Sequence, residues 1–278
     1  MVSEDANAEY WNNGYKYGQK ITFDNSEQSE TLINYTVMIK LDPGNFNYSN
    51  CENDGSDIRF IDNDKTTYLN YHFEEWNNVG ESIAWVQVPA INGSSSTDYI
   101  WLMYGNNDVS DGQDMEATYS NEYSMVYHMA DTGGFPFMTR VEDATSNSYD
   151  GVYNGGNFSD PGFVGDAIGF DGIDDFVNVS GVVGSEGAYN FSVNVMFKPI
   201  GTYTQWMIVM GRGTEGWGNN SIGVNIDDGW VIFALQNETT TKYIGEYTKK
   251  YDIGDWVYLS TSFNTTPVSY THLRAHET

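Results

Sequence analysis

Three carboxylates fall within five residues at Asp171-Gly172-Ile173-Asp174-Asp175. Around a glycine such a run can fold into a turn whose oxygens converge, and Ca²⁺ takes several hard oxygen ligands. Asp171, Asp174 and Asp175 are therefore the candidate calcium ligands. The competing reading is ordinary turn chemistry, in which Asp and Gly supply backbone geometry alone. Asp62-Asn63-Asp64 is a weaker version, since its loop lacks the glycine and closing glutamate of an EF-hand. Trp217 stands between Gly216 and Gly218 in a polar stretch and is the candidate platform for stacking on a sugar ring. Trp206 and Trp230 lie in strand-like runs and read as core, as do Trp85 and Trp101. Calcium is the only cofactor these patterns suggest.

Catalytic chemistry finds no home, and no catalytic residue is assigned. His72 and His128 fall in separate strands of what read as different domains, with no cysteine or second histidine nearby, so each reads as a satisfied or surface histidine. Cys51 is the single cysteine, which excludes an intramolecular disulfide, and no zinc-ligand spacing is visible in the sequence. It sits in an acidic loop that disfavours the thiolate. A laminarinase-type hydrolase carries Glu-x-Asp-x-x-Glu on one strand, which holds acid and nucleophile about 5–5.5 Å apart. This chain has no such motif, nor a serine elbow or a phosphate-cradling glycine loop. Asp57 and Arg59 are two apart on one strand face. They point to an ion pair in which Arg59 pins neighbouring loops, a structural role.

The elements that must position these residues are strands. The 278 residues include 29 Gly and 21 Tyr, with 40% hydrophobic side chains, enough for real cores. Ile33, Tyr35, Val37, Ile39 and Leu41 alternate with more polar neighbours, as do Phe191, Val193, Val195 and Phe197, and Ile222, Val224 and Ile226. Leu69, Tyr71 and Phe73 form a shorter version. The continuous runs 99–104 and 206–210 read as strands covered on both faces. Asp228-Gly229 between two such runs is a hairpin turn. The fold class is all-β, as two β-sandwich, jelly-roll-like domains in tandem.

The charge is −27, spread as −15 over residues 1–120 and −12 over 121–266. A chain so acidic is not built to neutralise phosphates, so nucleic acid is excluded as a partner. Anionic lipid headgroups are disfavoured on the same ground. The longest apolar run, 99–104, is far short of the ~20 residues that span a bilayer, so no direct membrane insertion is expected. Nine Asn-x-Ser/Thr sequons, from Asn34 to Asn264, lean towards an exterior protein.

The first half resembles the family known as domain of unknown function 2341, found in secreted and surface proteins. The resemblance rests on Trp11, Tyr15 and Tyr17, Lys20-Ile21-Thr22, 54–60 (Asp-Gly-Ser-Asp-Ile-Arg-Phe), 71–77, 84–89 and 103–106, together about residues 10–110. The second half resembles a laminin-G-like, concanavalin-A-type jelly roll through 126–129, 143–147, 165–172, 174–179, 191–197 and 252–258. That family often carries structural calcium. The polar stretch 106–121 sets the boundary, giving domains at 1–120 and 121–266. The second is expected to lack its last strands, because 267–278 resembles an adaptor-derived tail. The expected function is a non-catalytic extracellular or cell-surface binding or adhesion module. Its partner is a glycan or another surface polymer, and its signal peptide and anchor lie outside this fragment. The alternatives are a ligand-free spacer and, behind it, a glycoside hydrolase.

Overall fold

A computed structural model describes residues 2–7, 14–120, 123–130, 140–155, 157–179, 190–200, 207–210, 221–227, 230–236, 241–243 and 253–264. The chain divides into two compact units, Met1–Val183 and Gly184–Thr278. The expected tail, Trp206 and Trp217 lie outside the described residues.

In the first unit, β1 (Val2–Asn7) and β2 (Tyr17–Thr22) form one sheet with β4 (Arg59–Asp62) and β7 (Tyr99–Tyr104), in the order β1-β2-β7-β4. The second sheet has β3 (Leu32–Leu41), β5 (Tyr71–Glu75) and β6 (Ser82–Ile91), in the order β3-β6-β5. All pairings are antiparallel. Ile21, Phe60, Ile100 and Leu102 from the first sheet meet Ile39, Leu41, Ala84 and Val86 from the second in one buried core. Tyr71 and Tyr104 fill that core fully buried. The protein is all-β, and this half is a sandwich. Each fully buried large apolar side chain contributes about 1.5–3 kcal/mol.

Two sequence expectations need correction here. The alternation in β3 holds for Val37, Ile39 and Leu41, but Ile33 is 63% and Tyr35 45% exposed. Asn34 sits at φ 48°, in the left-handed region, and the face changes there: Leu32, opposite Ile91, packs on the core in place of Ile33. Arg59 makes no salt bridge among the described residues. Its guanidinium instead donates to the carbonyls of Ser56, Ile58 and Ser110 and to the Tyr71 hydroxyl. It still pins a loop, but through backbone oxygens: a β-carbon on Gly112 would land on the guanidinium.

The polar stretch after β7 has a structural task. The Asp114 N–H donates to Tyr71 O at 2.8 Å, and Gln113 Oε1 accepts from the Phe73 N–H at 2.6 Å, so this stretch covers the open edge of β5. A one-turn helix, α1 (Met115–Thr118), follows, capped by the Asp114 carboxylate on the Ala117 N–H. The buried Thr36 hydroxyl reaches across to Thr118 O at 2.8 Å. The first contact unit runs on past this stretch to Val183.

Beyond α1 the unit continues with β8 (Arg140–Val141), β9 (Gly151–Asn154), the hairpin β10 (Asn157–Pro161) and β11 (Asp166–Gly169), and β12 (Phe176–Val179). The sheet order is β12-β9-β8. Between β8 and β9 the buried Asp143 carboxylate gathers the N–H groups of Val126, Thr145 and Tyr149, each at 3.0 Å, and ties residues 123–130 to this loop.

In the second unit β13 (Asn190–Phe197) pairs along its whole length with β18 (Val257–Asn264). Val193, Val195 and Phe197 are half-buried while Ser192, Asn194 and Met196 are exposed, as the alternation predicts. A second sheet runs β14 (Met207–Met210), β15 (Ser221–Asp227), β16 (Trp230–Gln236) and β17 (Thr241–Tyr243), in chain order. Asp227 pairs with Trp230, and Asp228-Gly229, the expected turn, lies outside the described residues. Among the described residues no helix is long and apolar enough to cross a membrane.

Candidate functional site

The loop between β11 and β12 brings the three candidate aspartates together. One donor oxygen each from Asp171, Asp174 and Asp175 lies within 4.8 Å of the others. Backbone geometry accounts for part of this. Asp171 Oδ1 accepts from the Ile173 N–H at 2.7 Å and the Asp174 N–H at 3.3 Å, across Gly172 at φ 73°. Asp175 Oδ2 accepts from the Asp171 N–H at 2.8 Å and from the Tyr153 hydroxyl at 3.4 Å. In the same loop and at its flanks Ile173 is 86% exposed, and Phe170 and Phe176 are exposed as well. This is a hard-oxygen cluster with an apolar rim. Trp217, the other predicted contact, falls outside the described residues.

Asp62-Asn63-Asp64 behaves as a turn. Asp64 accepts from the Thr66 and Thr67 N–H groups and the Thr67 hydroxyl, led by the hydroxyl in holding its pKa down at about 2. Cys51 is half-buried, and burial first, then the Asp57 carboxylate, push its thiol up to about 12. At pH 8 its alkylation by iodoacetamide in the folded chain is therefore expected to run roughly a thousandfold slower than that of an unhindered peptide thiol, from the thiolate fraction alone. A rate within tenfold of the peptide would contradict that environment.

The histidines are the main departure from the sequence reading. His72 and His128 do not sit apart: their ring centroids are 5.1 Å from each other. In β5, His72 pairs with Trp85 of β6, and Glu74, at a register irregularity between Phe73 and Glu75, turns its carboxylate to the same Trp85. His128 comes from the stretch after α1, held down through Asp143, and its Nδ1 lies directly against Glu74 Oε2. The Glu74 side chain is only 3% exposed, and its Oε2 also accepts from Trp85 Nε1 at 2.8 Å. Above it runs the β10–β11 turn, where a β-carbon on Gly165 would sit 3.5 Å from Glu74 Cγ. His128 Nε2 meets the Tyr119 hydroxyl at 3.3 Å, and the His128 ring packs on Trp85 and Tyr119. Met129, next in the chain, is held at φ 59°.

His72 is 5% exposed, and among the described residues neither of its ring nitrogens has a hydrogen-bond partner. Burial, reinforced by His128, pulls its pKa down to about 3, so the ring is neutral at ordinary pH. Sequence reasoning missed this cluster because its halves lie far apart in the chain. The one local signal was His72-Phe73-Glu74, an imidazole and a carboxylate two residues apart in a strand.

Comparison with known proteins bears on this half of the chain. Residues 54–154 match the family described as Domain of unknown function (DUF2341). The matched span runs past residue 120 and holds His72, Glu74, Trp85, Tyr119 and His128 together, while the acidic loop at 171–175 lies outside it. No curated protein and no solved structure matched the chain.

Proposed function

We propose that the chain is a non-catalytic binding module of an extracellular or cell-surface protein, which takes Ca²⁺ at 171–175 and, beside it, a glycan or a similar hydroxyl-rich polymer. The observation that carries the reading is the meeting of three aspartate oxygens within 4.8 Å on an exposed loop. Hard carboxylate oxygens suit Ca²⁺, whose open coordination positions accept sugar hydroxyls. Phe170 and Phe176 offer apolar faces alongside, as sugar-binding surfaces require. The net charge of −27 supports an exterior exposed to cation-rich surroundings. Residues 121–266 are proposed as a jelly roll of the laminin-G-like type, lacking its last strands.

The test is a glycan array probed with the full chain in Ca²⁺ and in chelator. Binding in Ca²⁺ alone supports the reading; a flat array in both conditions favours the ligand-free spacer. Asp174→Ala is expected to lower the melting temperature relative to the parent chain only when Ca²⁺ is present. An equal loss in chelator would show that Asp174 serves the turn and holds no ion.

A further inference from the structure

We propose that His72, Glu74 and His128 form a second, chemically different metal site, for a divalent transition ion such as Zn²⁺ or Co²⁺, clipping residues 123–130 onto β5. The residue set comes first. Two imidazoles and one carboxylate are a donor set suited to borderline transition ions, whereas Ca²⁺ and Mg²⁺ prefer all-oxygen sites. The spacing comes second. Two imidazoles on one tetrahedral ion, with metal–nitrogen bonds of about 2.0–2.1 Å, place their ring centroids roughly 5.2 Å apart. His72 and His128 stand at 5.1 Å.

Burial supplies the third observation. A buried polar atom without a partner is costly, and an ion is one of the few groups that relieves the cost. His72 has two such atoms, while its neighbours are all engaged. The surrounding bonds aim the other two donors. The Tyr119 hydroxyl meets His128 Nε2, and Nδ1 lies against Glu74 Oε2, a contact that an ion bound to Nδ1 replaces. The Trp85 N–H holds Glu74 Oε2 and leaves Oε1 for an ion. Such outer hydrogen bonds are how proteins orient metal-binding imidazoles and carboxylates. As the rings stand, the three donors are spread wider than those of the aspartate loop. A half-turn of the His72 ring about its Cβ–Cγ bond exchanges nitrogen and carbon positions in the same space. It breaks no hydrogen bond, since neither nitrogen makes one.

The inference is independent of the calcium reading, because it concerns different residues and a different class of ion. It is tested on the full chain carrying His272→Ala and His276→Ala, which removes the other two histidines. After stripping with EDTA and dialysis, the chain is titrated with Zn²⁺ by calorimetry and with Co²⁺ by visible absorption. One equivalent is expected to bind, with the intense Co²⁺ bands of a four-coordinate nitrogen–oxygen site. His72→Phe and His128→Phe should each weaken Zn²⁺ binding at least 100-fold, Glu74→Gln at least 10-fold, and Asp174→Ala not at all. Near-UV circular dichroism identifies any variant that fails to fold. For those, the Co²⁺-loaded parent is read instead by proton NMR, where two paramagnetically shifted imidazole N–H signals are expected. Undiminished binding in a folded His72→Phe chain, no stoichiometric uptake by the parent, or an absence of shifted imidazole signals would each overturn the site.

Discussion

Replacing Asp57 with alanine is expected to lower the stability of the first unit by about 4 kcal/mol, because two buried N–H groups and one part-buried N–H lose their acceptor together. Asp57 is fully buried. Its Oδ1 accepts from the Glu52 N–H at 2.8 Å, and its Oδ2 from the Gly105 N–H at 2.6 Å and the Asn106 N–H at 3.3 Å. Hydrogen bonds to a carboxylate are the strong kind, and each orphaned donor costs about 1–3 kcal/mol. The backbone has little room to find another acceptor. Gly105 is held at φ 82°, with the Tyr17 ring 2.7 Å from where a β-carbon would be. For a unit of this size the loss corresponds to a fall of about 8–16 °C in the first unfolding transition. Asp57→Asn keeps the shape and one acceptor, so about half the loss is expected. Thermal unfolding of the full chain decides it: a change below about 1 kcal/mol for Asp57→Ala would mean that solvent reaches those N–H groups.

The second large effect is expected at Tyr71, where truncation to alanine should cost about 4–5 kcal/mol, at the upper end for an aromatic core residue. The ring is fully buried, edge-on to Phe60 at 5.2 Å and to Phe73 at 5.8 Å. Its hydroxyl donates to Ile58 O at 2.6 Å and accepts from Arg59 Nη1 at 3.3 Å. Burial raises the phenol well above its ordinary range, so it stays protonated wherever the fold survives. Tyr71→Phe retains the packing and loses only the hydroxyl bonds, for which about 1–2 kcal/mol is expected. Urea unfolding of the two variants separates packing from hydrogen bonding, and equal losses would show that the ring's packing counts for nothing. Asp57 and Tyr71 both anchor the stretch 57–59, so the double variant should lose less than the sum of the two.

What was legible in advance shares one property, short range. The alternation of 193–197, the buried Leu69 and Tyr71 with Phe73 packed partly buried against the same core, and the pairing of β15 with β16 all follow from short-range sequence patterns. The aspartates of 171–175 converge for the same reason, within one turn around Gly172. Ile33 was misread because a single left-handed residue, Asn34, changes which face meets the core, and no hydropathy pattern carries a φ angle. Arg59 was misread because charge counting names only charged partners, and three backbone carbonyls took the guanidinium instead.

The sequence by itself determined that this protein is built of strands and turns, where its principal acidic loop lies, and how strongly negative it is. Side-chain period, glycine and aspartate turns, and net charge are properties of neighbouring residues or of the whole list. Only the tertiary structure decided that β7 lies between β2 and β4, so that Asp57 reaches the N–H groups of Gly105 and Asn106. It alone decided that the polar stretch after β7 covers the edge of β5 and returns His128 to Glu74 beside an unpartnered His72. Those meetings depend on sheet order and on which strand edge needs covering. Both are set by the burial of the whole core at once, which no short window of residues contains.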